Sequence, residues 1–537
     1  MKKTLIITLF FAPLSLIAQV MADFNVVPRP QECLPQKGDP FVLADVQSVS
    51  YTGSEDMRRN ASFLAEYIAE ATQKIIPVTE GKTKAPSIFL SLNKKMTSQE
   101  GYRISVSRKG ITVEGATPQG VFYGIQTLRK ALPYAPAGQI QVPAVIVNDE
   151  PRFSYRGMHL DVSRHFFGVD VIKQYIDRLA LHNMNIFHFH LTDDQGWRVP
   201  VDKYPRLTEV GAYRNKTVIG RNTGLYNYDR YGGFYTKEQL KEIVEYARQR
   251  YITIIPEIDM PGHMEAALAA YPQLGCTGGP YEVEANWGVF DDILCAGKEE
   301  AFKMVEAVLD AIMEIFPSEY IHIGGDEAPR TRWKACPLCQ QRIRQLGLKA
   351  DEHHSAEDRL QGYFMKRVEK YLNDHGHKAI GWDELLDCDV DETTTIMSWR
   401  GQEGGLAASE KGHDVLMTPT SFCYFDYYQT PEEDWSKPLL IGGFVPLDKV
   451  YSLEPAPATL SANARKHIIG VQANLWTEYI CDRDLLEYQT LPRMGALAEL
   501  QWVLPEKKNY DEYLARQKRM LDIYQKYGWK YCAAAFK

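Results

Sequence analysis

The chain has no block of charge of one sign. Its formal net charge of −8 is spread along 537 residues, which leaves no footprint for nucleic acid or an anionic membrane surface as partner. No stretch reaches the roughly 18 uninterrupted apolar residues of a membrane-spanning helix. Cysteine is sparse, nine in all, so disulfides cannot form the framework and a packed core must carry stability. An odd count leaves at least one thiol without an intrachain partner. Cys276 and Cys295 flank a loop containing Gly278-Gly279 and are candidates for a bridge. Cys336-Pro337-Leu338-Cys339 has the spacing of half a zinc site or of a redox pair, but a second CxxC and a neighbouring histidine pair are missing. A local disulfide or plain thiols are therefore expected there in preference to a metal.

What is present is ample apolar material, 45% of the chain, at a length that favours two domains. Residues 1–22 carry Lys2-Lys3, an interrupted apolar run from Leu5 to Ile17, and small residues at Ala18 and Ala22. This reads as a cleaved signal peptide, so an exported, soluble mature protein is expected. The first cysteine is Cys33, and no lipid-anchor signal is seen. Residues 23–150 mix strand signals at 87–91, 102–106 and 110–113 with helical periodicity at 60–72 and 119–132, which predicts a small α+β domain. Asn148-Asp149-Glu150-Pro151-Arg152 has the polar and proline character of a boundary.

From residue 151 to 537, strand-like runs alternate with amphipathic helices. Eight strands are predicted, at 155–161, 185–191, 252–258, 320–324, 378–382, 394–399, 414–418 and 468–475, the pattern of an α/β fold of the (β/α)8 TIM-barrel type. Helix 236–250 shows the period well, with Leu240, Ile243, Val244 and Ala247 on one face. A last helix at 484–502 is expected to close the barrel.

The carboxyl ends of barrel strands are where catalytic side chains collect, and here they are rich in residues suited to a sugar. The fourth strand runs into Gly324-Gly325-Asp326-Glu327, a pair of adjacent carboxylates. Around it fall Arg164 after the first strand, Asp193 after the second, and Asp259 with His263 at and after the third. Trp382, Trp399, Tyr424 with Asp426, and Trp476 with Glu478 mark the last four. A single strand-end tryptophan is ordinarily core, and a single arginine ordinarily a structural ion pair. Several aromatic residues on one rim with acids between them suit apolar sugar faces edged by hydroxyls.

These strings resemble family 20 glycoside hydrolases, the β-N-acetylhexosaminidases. His322-Ile323-Gly324-Gly325-Asp326-Glu327 is the most specific, joined by Ser163-Arg164-His165, Asp259-Met260-Pro261-Gly262-His263, Gly381-Trp382-Asp383-Glu384 and Trp476-Thr477-Glu478. Phe122 to Leu128 resembles a segment of that family's N-terminal domain. The resemblance implies a retaining reaction in which the substrate's own 2-acetamido oxygen is the nucleophile. It makes Glu327 the general acid and base, and Asp326 the residue that holds the acetamide N–H and balances an oxazolinium intermediate. Arg164 is implied at the 3- and 4-hydroxyls, Glu478 at the 4- and 6-hydroxyl side and Asp426 at the 6-hydroxyl. Trp382, Trp399 and Trp476 are implied as walls, and Tyr424 as donor to the acetamide oxygen. The substrate implied is an oligosaccharide or glycoconjugate ending in N-acetylhexosamine, with no cofactor and no metal. A general acid must start protonated, so a raised pKa is expected for Glu327, tuned by Asp193 and His263.

Two other readings compete. His188-Phe189-His190, with Asp193, Asp194, His263 and His322 elsewhere, suits a metal-dependent amidohydrolase barrel, although arginine, tryptophan and glutamate occupy the other strand ends. A sugar-binding protein on an inactive barrel has no need of the intact Asp326-Glu327 pair.

Overall fold

The computed structural model describes residues 19–84, 86–134, 138–388, 390–431 and 438–536. The expected leader falls mostly on residues 1–18, outside the described residues, while Gln19–Met21 forms a strand parallel to Gln139–Val142. The chain divides into two compact units, one reaching Asn25 and resuming over Glu32–Asp149, the other made of Val26–Gln31 and everything from Glu150 onward.

The smaller unit holds a seven-stranded mixed sheet, a three-stranded sheet that includes Gln19–Met21 and Gln139–Val142, and two α-helices. Tyr102–Ser107 and Gly110–Gly115 pair antiparallel with Ile104 opposite Val113, the hairpin that the alternation in the sequence predicts. Helix Glu55–Thr72 buries Met57, Ala61, Leu64, Ala65 and Ile68 at three- and four-residue spacing. Helix Pro118–Ala131 starts with proline in its first turn, where no N–H is needed, and Thr117 accepts the Gly120 amide.

The larger unit is a closed parallel barrel of eight strands in chain order. They are β1 (Tyr155–Asp161), β2 (Ile186–His190), β3 (Thr253–Met260), β4 (Tyr320–Gly324), β5 (Lys378–Trp382), β6 (Thr395–Ser398), β7 (Val415–Met417) and β8 (Ile468–Ala473). Every predicted strand is present, and β1, β4 and β5 keep the predicted ends. Tyr155, Ile255, Ile380, Trp382, Met397 and Leu416 pack into one cluster of buried residues. Helix Lys237–Arg248 is set by a reciprocal Thr236–Gln239 capping box and buries Leu240, Ile243 and Ala247, with Val244 half-buried.

The carboxyl-terminal end departs from expectation. The single helix expected over 484–502 is two, Arg483–Thr490 and Arg493–Trp502. Pro492 stands between them and cannot supply the N–H that would continue the ladder. A further helix, Tyr510–Lys526, follows, its first turn capped by the Asn509 side chain on the Glu512 amide.

Candidate active site

The acidic pair owes its arrangement to the backbone that ends β4. Gly324 and Gly325 lie at φ +67° and +103°, and a Cβ on Gly324 would come within 1.7 Å of Asp259 Oδ1. Only glycine fits. Glu327 also adopts a left-handed backbone, at φ +44°, a conformation that costs a non-glycine residue about 1–3 kcal/mol and gathers at functional sites. The turn gives neighbouring carboxylates different surroundings: the Asp326 side chain is 11% exposed and that of Glu327 39%.

His263, itself at φ +52°, joins these acids to a second pair. Its Nδ1 lies 3.1 Å from both Asp193 Oδ1 and Asp194 Oδ2, and its Nε2 lies 3.6 Å from Glu327 Oε2 and 3.7 Å from Asp326 Oδ2. Burial opposes a charge on His263, but Asp193, Asp194 and Glu327 override it and raise its pKa well above the ordinary value, so the ring is cationic at neutral pH. The donor contact from this ring holds Glu327 below the usual carboxylate range, against partial burial. That reverses the direction expected from the sequence. The missing premise was that the neighbouring histidine carries a proton. Asp326 moves the other way, raised by burial and by Glu327 in spite of His263. Burial and then the Asp326 charge raise Asp259 further.

Across the site, Arg164 is held from three sides. Its Nη2 lies 2.9 Å from Asp193 Oδ2, its Nη1 lies 3.3 Å from Asp161 Oδ2, and its Nε donates to Gln195 Oε1 at 2.9 Å. Asp161 also accepts the amides of Ser163 and Thr477 and the Thr477 hydroxyl, which ties the loop after β1 to the loop after β8. Glu478, at the end of that second loop, comes within 3.9 Å of Arg164 Nη1. Burial raises the pKa of both Glu478 and Asp426, in Asp426 reinforced by Glu478. Two buried acceptors at the site, Asp326 Oδ1 and Asp426 Oδ1, have no hydrogen-bond partner among the described residues.

The aromatic walls are oriented by polar anchors. Trp382 Nε1 donates to Glu257 Oε1 at 3.0 Å and Trp399 Nε1 to Glu384 Oε2 at 2.9 Å. Burial, with the Asp326 charge, pushes Glu384 up to about 8. Trp399 stacks on Tyr424 at 6.1 Å and 18°, and Trp382 meets Trp476 at 5.9 Å.

Beneath the rim, three of the four histidines that suggested a metal enzyme surround one carboxylate, while His263 sits with Asp193 and Asp194. Glu257 Oε2 lies 2.6 Å from His190 Nδ1 and 2.9 Å from His188 Nε2, while Oε1 lies 3.1 Å from His322 Nδ1. Burial opposes charge on His190, but Glu257 and Asp193 push it up to about 10. His190 Nε2 contacts Asp193 Oδ2 at 2.8 Å, which links this layer to the rim.

Every site residue named from the sequence lines a single cavity of ≈ 390 Å³. A second cleft of ≈ 790 Å³ shares Glu327 and is lined also by Arg330, His353, His354 and Glu384. The cavity contains residues that the sequence reading missed. Tyr427 and Tyr479 each follow a named acid directly, so adjacency was an available signal. Asn222 and Trp287 come from long loops without a strand end to mark them, and nothing in the sequence singled them out.

A closed (β/α)8 barrel with an acidic pair at its carboxyl rim, in a pocket walled by tryptophan, has the features of a glycoside hydrolase. The match to known families makes this specific. The family model "Glycosyl hydrolase family 20, catalytic domain" covers residues 153–505 and "Glycosyl hydrolase family 20, domain 2" covers 23–150, and the chain belongs to that family. It is 42% identical over 501 residues to a β-hexosaminidase of Porphyromonas gingivalis, covering 92% of this chain and 62% of that longer protein. Among solved structures, the GH20 β-N-acetylhexosaminidase of Streptomyces coelicolor A3(2) superposes with a TM-score of 0.81 at 31% identity, over 95% of this chain and 97% of the other. The GH20 exo-β-N-acetylglucosaminidase of Vibrio harveyi, solved with N-acetylglucosamine, gives 0.83 at 30% identity, over 98% and 81%.

Proposed function

We propose that the protein is an exported, exo-acting β-N-acetylhexosaminidase that removes terminal β-linked GlcNAc or GalNAc with retention, through an oxazolinium intermediate formed by the substrate's acetamide. The observation that carries this reading is Asp326 Oδ1, a buried acceptor without a partner among the described residues, beside the one carboxylate of the pair that is substantially exposed. An acetamide N–H satisfies such an acceptor, and the carboxylate then balances the positive charge that develops on the acetamide. Tyr424 donates to the acetamide oxygen, and Trp382, Trp399 and Trp476 enclose the methyl group and ring.

In the first step Glu327 gives its proton to the glycosidic oxygen, the C1–O bond to the leaving group breaks, and the acetamide oxygen bonds to C1. In the second, Glu327 takes a proton from water, which adds to C1 and restores the acetamide. Glu327 is held ionised by His263 in the free protein, so its proton is taken up as the substrate covers the exposed carboxylate, since loss of water raises a carboxyl pKa. Arg164, fixed by Asp161 and Asp193, meets the 3- and 4-hydroxyls, with Glu478 and Asp426 on the 4- and 6-hydroxyl side. The size of the cavity, ≈ 390 Å³, favours release of one terminal sugar, and the adjoining cleft through Glu327 offers room for the leaving group.

Paired chromogenic substrates test the mechanism. Cleavage of the N-acetyl-β-glucosaminide with the matching β-glucoside untouched supports it, and equal cleavage of both would sink it. Export rests on Lys2-Lys3 and the apolar run after them. A mature protein recovered outside the cytoplasm, its amino terminus near residue 23, is expected.

A further inference from the structure

Away from the acidic pair, four cysteines from two distant parts of the chain meet at one point. Cys276 and Cys295 bound the loop that follows β3, and Cys336 and Cys339 bound the turn that opens helix Pro337–Leu346. One sulfur from each lies within 4.8 Å of all the others. The separations are 3.8 Å for Cys276–Cys339, 3.7 Å for Cys295–Cys336 and 3.5 Å for Cys295–Cys339, and all four residues are free thiols. The half site seen in the sequence has therefore acquired its second pair, from cysteines 19 positions apart that no CxxC search would join to it.

We infer that this cluster is a structural zinc site of four thiolates. A tetrahedral zinc with bonds of about 2.3 Å sets its sulfurs about 3.8 Å apart, the spacing seen here. A set of four sulfurs with no water-facing fourth position is the structural type, and it favours zinc or iron over harder ions. The surroundings suit thiolates. The Gly297 amide donates to the Cys295 sulfur, and Cys336 and Cys339 sit at the first turn of a ten-residue helix, whose free N–H groups stabilise negative charge. Gly297 lets the two segments approach: a Cβ there would lie 2.4 Å from the Leu338 carbonyl carbon. Lys298 Nζ adds a cation nearby, donating to the Gln273 and Gly275 carbonyls at 2.8 and 2.6 Å.

The site's place explains its use. The loop between Cys276 and Cys295 carries Trp287, Gly288 and Val289, which line the substrate cavity, and Cys336 follows Glu327 by nine residues. Zinc would fasten the loop after β3 to the loop after β4, fixing one wall of the pocket relative to the acid. Binding replaces four thiol protons by the ion and leaves the reaction chemistry to the side chains already described.

The test uses the full chain, purified without chelator. Elemental analysis is expected to find about one zinc per chain, released when a mercurial reagent titrates four thiols. Growth with cobalt is expected to give the sulfur-to-cobalt charge-transfer band and the intense visible bands of a tetrahedral thiolate site. Joint replacement Cys336→Ser and Cys339→Ser removes the zinc and lowers the thermal midpoint, and if that variant does not fold, the measurements on the unaltered chain decide. Protein without zinc, whose intact mass under non-reducing conditions is lower by two hydrogens for each disulfide, would overturn the inference. Iron in place of zinc, or zinc that survives the double replacement, would overturn it as well.

Discussion

Two carboxylate–histidine clusters share β3, one around Glu257 and the other around Asp259, two residues further along the strand where its pairing with β4 is irregular. Both combine acids and imidazoles, both are deeply placed, and the sequence marks both. They differ in what is left over. Glu257 has both oxygens engaged, Oε2 by His190 and Oε1 by Trp382, and is fully buried. At the rim, Asp326 keeps a buried oxygen without a partner among the described residues and the Glu327 side chain is 39% exposed. A carboxylate whose acceptors are all filled by the protein organises a core. One with an open acceptor beside a cavity is available to a ligand.

Substitutions at the two clusters should separate these roles, and the largest effect is expected at Glu327. Glu327→Gln should lower kcat on acetamido substrates by about 10²- to 10⁴-fold, the range for a positioned general acid. Its unfolding free energy in urea should stay within about 1 kcal/mol of the parent. If activity persists, Glu327 is not the acid.

Glu257→Gln should show the opposite signature. It leaves buried histidines and Trp382 with an uncompensated partner, so a loss of about 3–5 kcal/mol of stability is expected in denaturant titration. Unchanged stability would erase the distinction between the clusters. Asp326→Asn comes next, with about a 10²- to 10³-fold fall in kcat from the lost balance of developing charge. The loss should be confined to substrates bearing an acetamide, and a β-glucosidase activity appearing in its place would contradict the assignment.

The smallest effect is a shift in pH. His263 is cationic and holds Glu327 below its ordinary pKa. Removing that charge in His263→Asn favours the protonated carboxyl, so the Glu327 pKa rises. The limb of kcat/KM that falls as Glu327 loses its proton should then move to higher pH. A limb that stays in place would show that another group governs it.

Much of this was legible in the chain. Alternating apolar runs located all eight barrel strands, because a buried parallel strand needs β-branched and aromatic residues over a short span and its neighbours need helical periodicity. Strand ends located the site, since catalytic rims form there whatever the loops do. Pro492 was there to be read as a helix breaker between two amphipathic runs, yet the sequence reading carried one helix through it. What escaped the sequence lies on loops or depends on charge states: Trp287 and Asn222, brought in by long connections, and the direction of the Glu327 shift, set by a proton on His263.

Sequence alone determined the barrel, the acidic pair and the residue types of the pocket, because these depend on local pattern and on which strand a residue ends. Tertiary structure decided which acid remains open, which histidines serve Glu257, and that four cysteines form one group. Those outcomes depend on distances of 3–4 Å between segments tens of residues apart, where burial and neighbouring charge set protonation and no local pattern records them.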